Sequence, residues 1–214
     1  MTTVRIWFTK TGEASYISLL DLQRVMQRSI KRSGIPVWYT MGFNPHIYMT
    51  FANPLPLGQE SLVESVDVKT ELEQVPLEDW RQALDRVMPL GIKVTRVTLP
   101  QYKAEKISFA RYQLRMPLSA QASVDTYNQL ETAVIQKKTK RGHKEIDLKQ
   151  ALPRIETEQK ENELQAELLL TAGEGNNLNP SLWLNFMQEH CGLNPADVSV
   201  LRTALLLEDQ TDFW

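Results

Sequence analysis

Twice along its length this chain switches between alternating and helical hydrophobic spacing, each time in the order strand, helix, strand, strand, helix, strand. Apolar residues two apart make one face of a strand, whereas residues three and four apart make a helical stripe. "VRIWF" puts Val4, Ile6 and Phe8 on one side and Arg5, Trp7 and Thr9 on the other, the pattern of a half-buried strand. "SLLDLQRVMQRSIKRSG" then changes period. Leu22, Val25, Met26 and Ile30 form the stripe, and Arg24, Arg28, Lys31 and Arg32 share the opposite face. Ser18 with Asp21 resembles a capping box, and Gly34 is a natural stop.

Ile47, Met49 and Phe51 alternate with Tyr48 and Thr50, and Val66 and Val68 alternate in "ESVDVKTE". Pro76 opens a helix striped by Trp80, Ala83, Leu84, Val87 and Met88, and "GIKVTRVTL" closes the unit. In the second half, "ARYQLRM" reads as a strand, and "SVDTYNQLETAVIQ" as a helix capped by Ser123 and striped by Tyr127, Leu130 and Val134. "KEIDL" and "NELQAELLL" read as the middle strands. Asn179-Pro180 starts a helix through Trp183, Phe186 and Met187, and "VSVLRTALLLE" is the last strand. The expected fold is therefore α+β, two tandem ferredoxin-like (βαββαβ) units with antiparallel sheets. They cover residues 1–102 and 103–214 and join near "PQYKAEKIS". The halves share element order with slight sequence identity.

A net charge of −2 excludes a generally basic coat for nucleic acid but leaves room for local patches. Residues 1–50 and 137–149 each carry a local excess of +4. Cys191 is the single cysteine, so an internal disulfide and an iron–sulfur cluster held by this chain are both excluded. The start "MTTVRIWFTKTG" has no apolar core of a signal peptide, and no run reaches the roughly 18 apolar residues of a membrane helix. A cytoplasmic protein with no membrane contact is expected. Phosphate loops, GxSxG elbows and HExxH motifs are absent, and His46, His143 and His190 are scattered, so no resident cofactor or metal is expected.

Two segments carry candidate chemistry. In "GFNPHIYMTFANPLPLG" the glycines and prolines hold the backbone on one path at low entropic cost. It is either a stiff connection with Phe43 and Phe51 in the core, or a loop presenting Asn44, His46 and Tyr48 beside Arg24 and Arg28. An amide, an imidazole and a phenol next to arginines suit an anionic or nucleotide-like ligand. In "KKTKRGHKEIDL", Lys140, Arg141 and Lys144 belong either to a solvated loop or to a cationic arm contacting phosphates without reading sequence.

The stretch from Ser15 to Val68 strongly resembles the N-terminal signature of the radical-SAM-linked proteins, a bacterial family of unknown function. The matches are Ser18, Leu20, Asp21, Leu22 and Arg24, then Gly42 to His46, Pro54 to Gly58, Glu60, Ser61 and Asp67. Leu19 stands where family members commonly carry histidine. "KRGHKEIDL" resembles the family's second basic motif and "LRTALLLE" its closing strand. The resemblance implies association with a radical SAM protein. The lone cysteine then requires the cluster to sit on that partner.

Three functions follow as expectations. The first is a non-catalytic accessory module that binds RNA, or another phosphate-rich substrate, for a radical SAM enzyme. Its platform would be the face of the sheet bearing Arg5, Trp7 and Tyr48. The second is metal-free RNA cleavage by His46 with Tyr48 and a lysine of the basic arm. The third is a protein-interaction module whose apolar patch lies around "QTDFW".

Overall fold

The computed structural model describes residues 1–139, 142–173 and 177–214. The fold is mixed α+β, with four α-helices among the described residues. In chain order these elements are β1 (Thr2–Lys10), α1 (Leu19–Ser33), β2 (Met49–Phe51), β3 (Glu60–Thr70), α2 (Leu77–Asp85) and β4 (Ile92–Thr98). They continue with β5 (Phe109–Pro117), α3 (Gln121–Gln129), β6 (Val134–Thr139), β7 (Gly142–Asp147) and β8 (Thr157–Lys160). The last three are β9 (Glu163–Thr171), α4 (Pro180–Cys191) and β10 (Ser199–Leu206).

One eight-stranded sheet runs β4-β1-β3-β10-β5-β9-β8, with β2 beside β3. Residues 1–102 therefore supply the order β4-β1-β3-β2, and residues 103–214 the order β10-β5-β9-β8. Every pairing within each half is antiparallel. The halves join through a short parallel contact, Glu60 opposite Leu201 and Ser61 opposite Arg202. Two apolar clusters follow this division. One holds Val4, Ile6 and Phe8 of β1 with Leu22, Met26 and Ile30 of α1 and Trp80 of α2. The other holds Tyr112 and Leu114 of β5 with Tyr127 of α3 and Trp183 of α4.

The α1 ends form as their chemistry dictates. Ser18 accepts a hydrogen bond from the Asp21 amide, and Gly34 takes the left-handed conformation at φ 75°. Asn179 caps α4 with Pro180 in its first turn.

Three expectations need correction. Helix α3 starts at Gln121 without a side-chain cap, so Ser123 lies inside it, and it ends at Gln129. Val134–Gln136 is strand β6 instead, because the β-branched run of Thr132, Val134 and Ile135 penalises helix and favours extended backbone. "KEIDL" lies in β7, which pairs with β6 in a separate hairpin, and the neighbour of β9 is the short β8. The face of β1 that carries Arg5 and Trp7 is not open. Both side chains are buried. Arg5 donates to both Asp67 carboxylate oxygens at 2.7 and 2.8 Å, and the C-terminal segment closes over it with Phe213 and the Trp214 carbonyl.

The seam between the halves is polar. Arg202 of β10 donates to Glu64 of β3 and to the Asn53 carbonyl at 2.7 Å, all within buried surroundings. Lys10, also buried, donates to the Ser15 carbonyl at 3.1 Å. Burial pushes the Lys10 ammonium pKa down, the Glu64 carboxylate opposes that shift, and Arg202 adds to it.

Candidate nucleic-acid interface

After α1 the chain turns at Gly34 and runs along the C-terminal end of β3. There Thr70 donates its hydroxyl to the Pro36 carbonyl at 2.6 Å, and the Trp38 amide donates to the Lys69 carbonyl at 2.7 Å. It then projects as a small hairpin and returns through an antiparallel bridge between Tyr39 and Ile47. Ile47 is buried in the core against α1, which anchors the returning arm. The Thr40 amide donates to the His46 carbonyl at 2.8 Å, and the His46 amide donates to the Thr40 hydroxyl at 3.2 Å. Gly42 has φ 134°, which a side chain rarely tolerates, so the tight reversal needs glycine there.

This bracing leaves an apolar tip in water. Phe43 is fully exposed and Met41 is 90% exposed. A large aromatic held out on a pinned loop loses hydrophobic stabilisation that folding into the core would have supplied, about 2 kcal/mol. Phe43 is thus not in the core, while Phe51 is half-buried against it.

Below the tip, aromatic rings and cations converge. Trp38 and Tyr48 meet edge to face at 6.2 Å. The Lys69 ammonium lies 4.4 Å from the Tyr48 ring, and Lys31 of α1 lies 5.9 Å from the Tyr39 ring. A cleft of ≈ 320 Å³ opens beside them, lined by Trp38, Tyr39, Thr70, Glu71 and Leu72 among others.

Of the candidate residues, Asn44, His46 and Tyr48 belong to this hairpin. The His46 ring is fixed by its own loop, with Nδ1 3.0 Å from the Thr40 hydroxyl and 3.2 Å from the Asn44 carbonyl. That carbonyl can only accept, which favours a proton on Nδ1 and leaves Nε2 as the free ring nitrogen. The α1 residue that reaches the hairpin is Lys31. The Arg28 side chain, one turn back and exposed, makes no hydrogen bond or ion pair among the described residues. Arg24 lies further along the helix and is committed to Asp21 at 3.0 Å. Asp21 is held below the usual carboxylate range by the Ser18 hydroxyl first and Arg24 second.

The second basic segment lies in the other half. Lys140 and Arg141 lie outside the described residues. Lys144 stands directly opposite Lys137 across the β6–β7 ladder and lines a cleft of ≈ 470 Å³ with Val134, Ile146, Asp147 and Leu178. Lys137 donates to the Asn177 carbonyl at 2.5 Å, and its pKa is depressed by burial first and by Lys144 second. Two lysines facing each other across a ladder destabilise the hairpin unless an anion joins them.

Sequence reasoning missed Met41, Phe43, Lys31 and Lys69 as members of this site. Only the first two left a signal, two large apolar residues flanking a glycine inside a turn. Among the described residues no three His, Cys, Asp or Glu side chains converge to hold a metal ion, and no helix is long and apolar enough to cross a membrane.

A search of curated proteins finds no match. A family model covers both the hairpin and the basic ladder. Its match spans residues 3–180, and the chain belongs to that family, described as an uncharacterized protein conserved in bacteria (DUF2344).

Proposed function

We propose that this chain is a non-catalytic accessory module that binds single-stranded RNA, or another phosphate-rich substrate, through the Tyr39–Tyr48 hairpin and presents it to a radical SAM enzyme in the cytoplasm. One observation carries the binding site: Phe43 is fully exposed on a loop whose backbone is pinned from both arms. Exposed rings stack on unpaired bases for about 1–3 kcal/mol each, and every base offers such a face. Below it, Lys31 and Lys69 supply charge for the phosphates, Arg28 one turn back extends that charge along α1, and Asn44 and the His46 Nε2 supply polar contacts. Lys137 and Lys144 on β6–β7 form a second cationic patch.

The strand orders β4-β1-β3-β2 and β10-β5-β9-β8 support reading residues 1–102 and 103–214 as two ferredoxin-like units fused edge to edge. The β6–β7 hairpin is then an insertion after the first helix of the second unit. In many proteins of this fold the open sheet face binds RNA. Here that role passes from the covered Trp7 face to the hairpin. The radical SAM partner rests on the sequence resemblance, with the cluster on the partner.

The test is a filter-binding titration of bulk tRNA and of a single-stranded RNA at two salt concentrations. Saturable binding at low salt that weakens as salt rises supports the proposal. Undetectable binding at low salt removes RNA. A Phe43-dependent complex with a radical SAM protein, without RNA binding, would make the apolar tip a protein-docking element instead.

A further inference from the structure

On the far edge of the same half-sheet, Arg96 of β4 stands opposite Trp7 of β1. Its guanidinium is clamped between two indoles, 4.2 Å from the Trp7 ring and 4.0 Å from the Trp214 ring. The Trp7 ring is fixed, and Trp214 is held by its backbone. Trp7 is buried and donates its Nε1–H to the Thr98 hydroxyl at 3.0 Å. The Trp214 carbonyl accepts from Arg5 at 3.1 Å and from the Tyr102 amide at 3.4 Å.

The clamp accounts for the faces of the guanidinium but not for its edges. The Arg96 side chain makes no hydrogen bond or ion pair among the described residues, so its five N–H donors have no acceptor among them. Asp212 acts on it through space, opposing the downward push of burial on its pKa, without closing to an ion pair. Beside the clamp lies a cleft of ≈ 390 Å³ lined by Trp7, Arg96, Thr98, Leu99, Gln101 and Trp214. That volume falls in the range of small-ligand sites, about 300–1,000 Å³. Thr98 already accepts from Trp7, so its own hydroxyl proton is left to donate. Gln101 is exposed and adds an amide, and Trp214, 43% exposed, adds ring surface.

We infer that this cleft is a nucleotide-phosphate site: a phosphate docks on the edge of the Arg96 fork and the Thr98 hydroxyl, and the attached base packs along Trp214 toward Gln101. An arginine held planar by stacking has already lost the rotamer freedom that binding would otherwise cost, and its fork matches phosphate oxygens two at a time. A bare carboxylate would leave the aromatic wall and the amide unused. The site stands apart from the hairpin. β4 and β2 are separated by three strand spacings, about 14 Å, and the inference does not depend on RNA binding at the hairpin.

The experiment titrates the full chain and Arg96→Lys with adenosine 5′-monophosphate, adenosine and inorganic phosphate by isothermal titration calorimetry, and in the wild type also follows the Arg96 Nε–H resonance, assigned by its loss in Arg96→Lys. Expected are saturation with the monophosphate, none with adenosine, weaker binding of inorganic phosphate, and about tenfold weaker monophosphate binding in Arg96→Lys. A parallel titration of single-stranded RNA with both proteins distinguishes the sources. An equal loss in Arg96→Lys identifies strand phosphates, and unchanged RNA affinity identifies a free nucleotide. No saturation with the monophosphate up to about 10 mM overturns the inference, since a weaker site falls below about 3 kcal/mol of binding. So does undiminished binding by a folded Arg96→Lys protein, which would leave the clamp as a structural staple, or equal affinity for inorganic phosphate, which would make the cleft a simple anion site that does not read the base.

Discussion

Glu64 and Arg202, 138 residues apart in sequence, meet as an ion pair whose side chains are 2% and 1% exposed. They join β3 of one half to β10 of the other at the point where the two sets of strands become one sheet. Removing one partner strands a charge in the seam. Glu64→Ala is expected to lower unfolding stability by about 3–5 kcal/mol, whereas Glu64→Leu with Arg202→Met should cost far less. Urea unfolding of the three proteins measures both, and equal costs would show that the pair's burial carries no such penalty.

Lys10 gives that seam a pH signature. Its folded pKa lies below the ordinary 10.5, so in the window between the two values the unfolded chain binds more protons than the folded one. Stability then rises with pH through that window. Subtracting the profile of Lys10→Met from that of the wild type isolates this slope from other groups. A flat difference up to pH 10.5 contradicts the depressed value.

Gly91 precedes β4 at φ +82°, and a Cβ there would run into the Thr11 carbonyl and Ala14. Gly91→Ala should cost about 3 kcal/mol from strain and collision together. Gly34 has a similar φ but open space around it, so Gly34→Ala should cost only about 1 kcal/mol. Thermal melts of both variants check the contrast.

What could be read from the sequence was whatever depends on neighbours along the chain. The alternation of Val4, Ile6 and Phe8, the Ser18 cap, the Gly34 stop and the Asn179-Pro180 start each state a local preference, and each appears as expected. Contacts made by distant segments left no such trace. Arg5 and Trp7 read as an exposed face because periodicity says nothing about a C-terminal segment folding over β1. Leu130 and Val134 read as helix because their spacing fits, although the β-branched run between Thr132 and Ile135 ends α3 early. Within the site, the stiffness of the proline-rich segment was legible and the exposure of Phe43 was not, since an apolar residue next to a strand is ordinarily core.

That exposure separates stability from binding. Phe43→Ala removes a side chain that touches little, so unfolding stability should stay within about 0.5 kcal/mol of wild type. A large loss would mean the ring is packed, and the tip would cease to be a contact element.

The central claim is most directly tested by fluorescence anisotropy of a labelled single-stranded RNA titrated with the wild-type chain and with Phe43→Ala at low salt. The wild type should bind saturably, and the variant should lose about 1–3 kcal/mol, roughly fivefold to 150-fold in affinity. Equal affinity in the two proteins, or no binding by either, would contradict it.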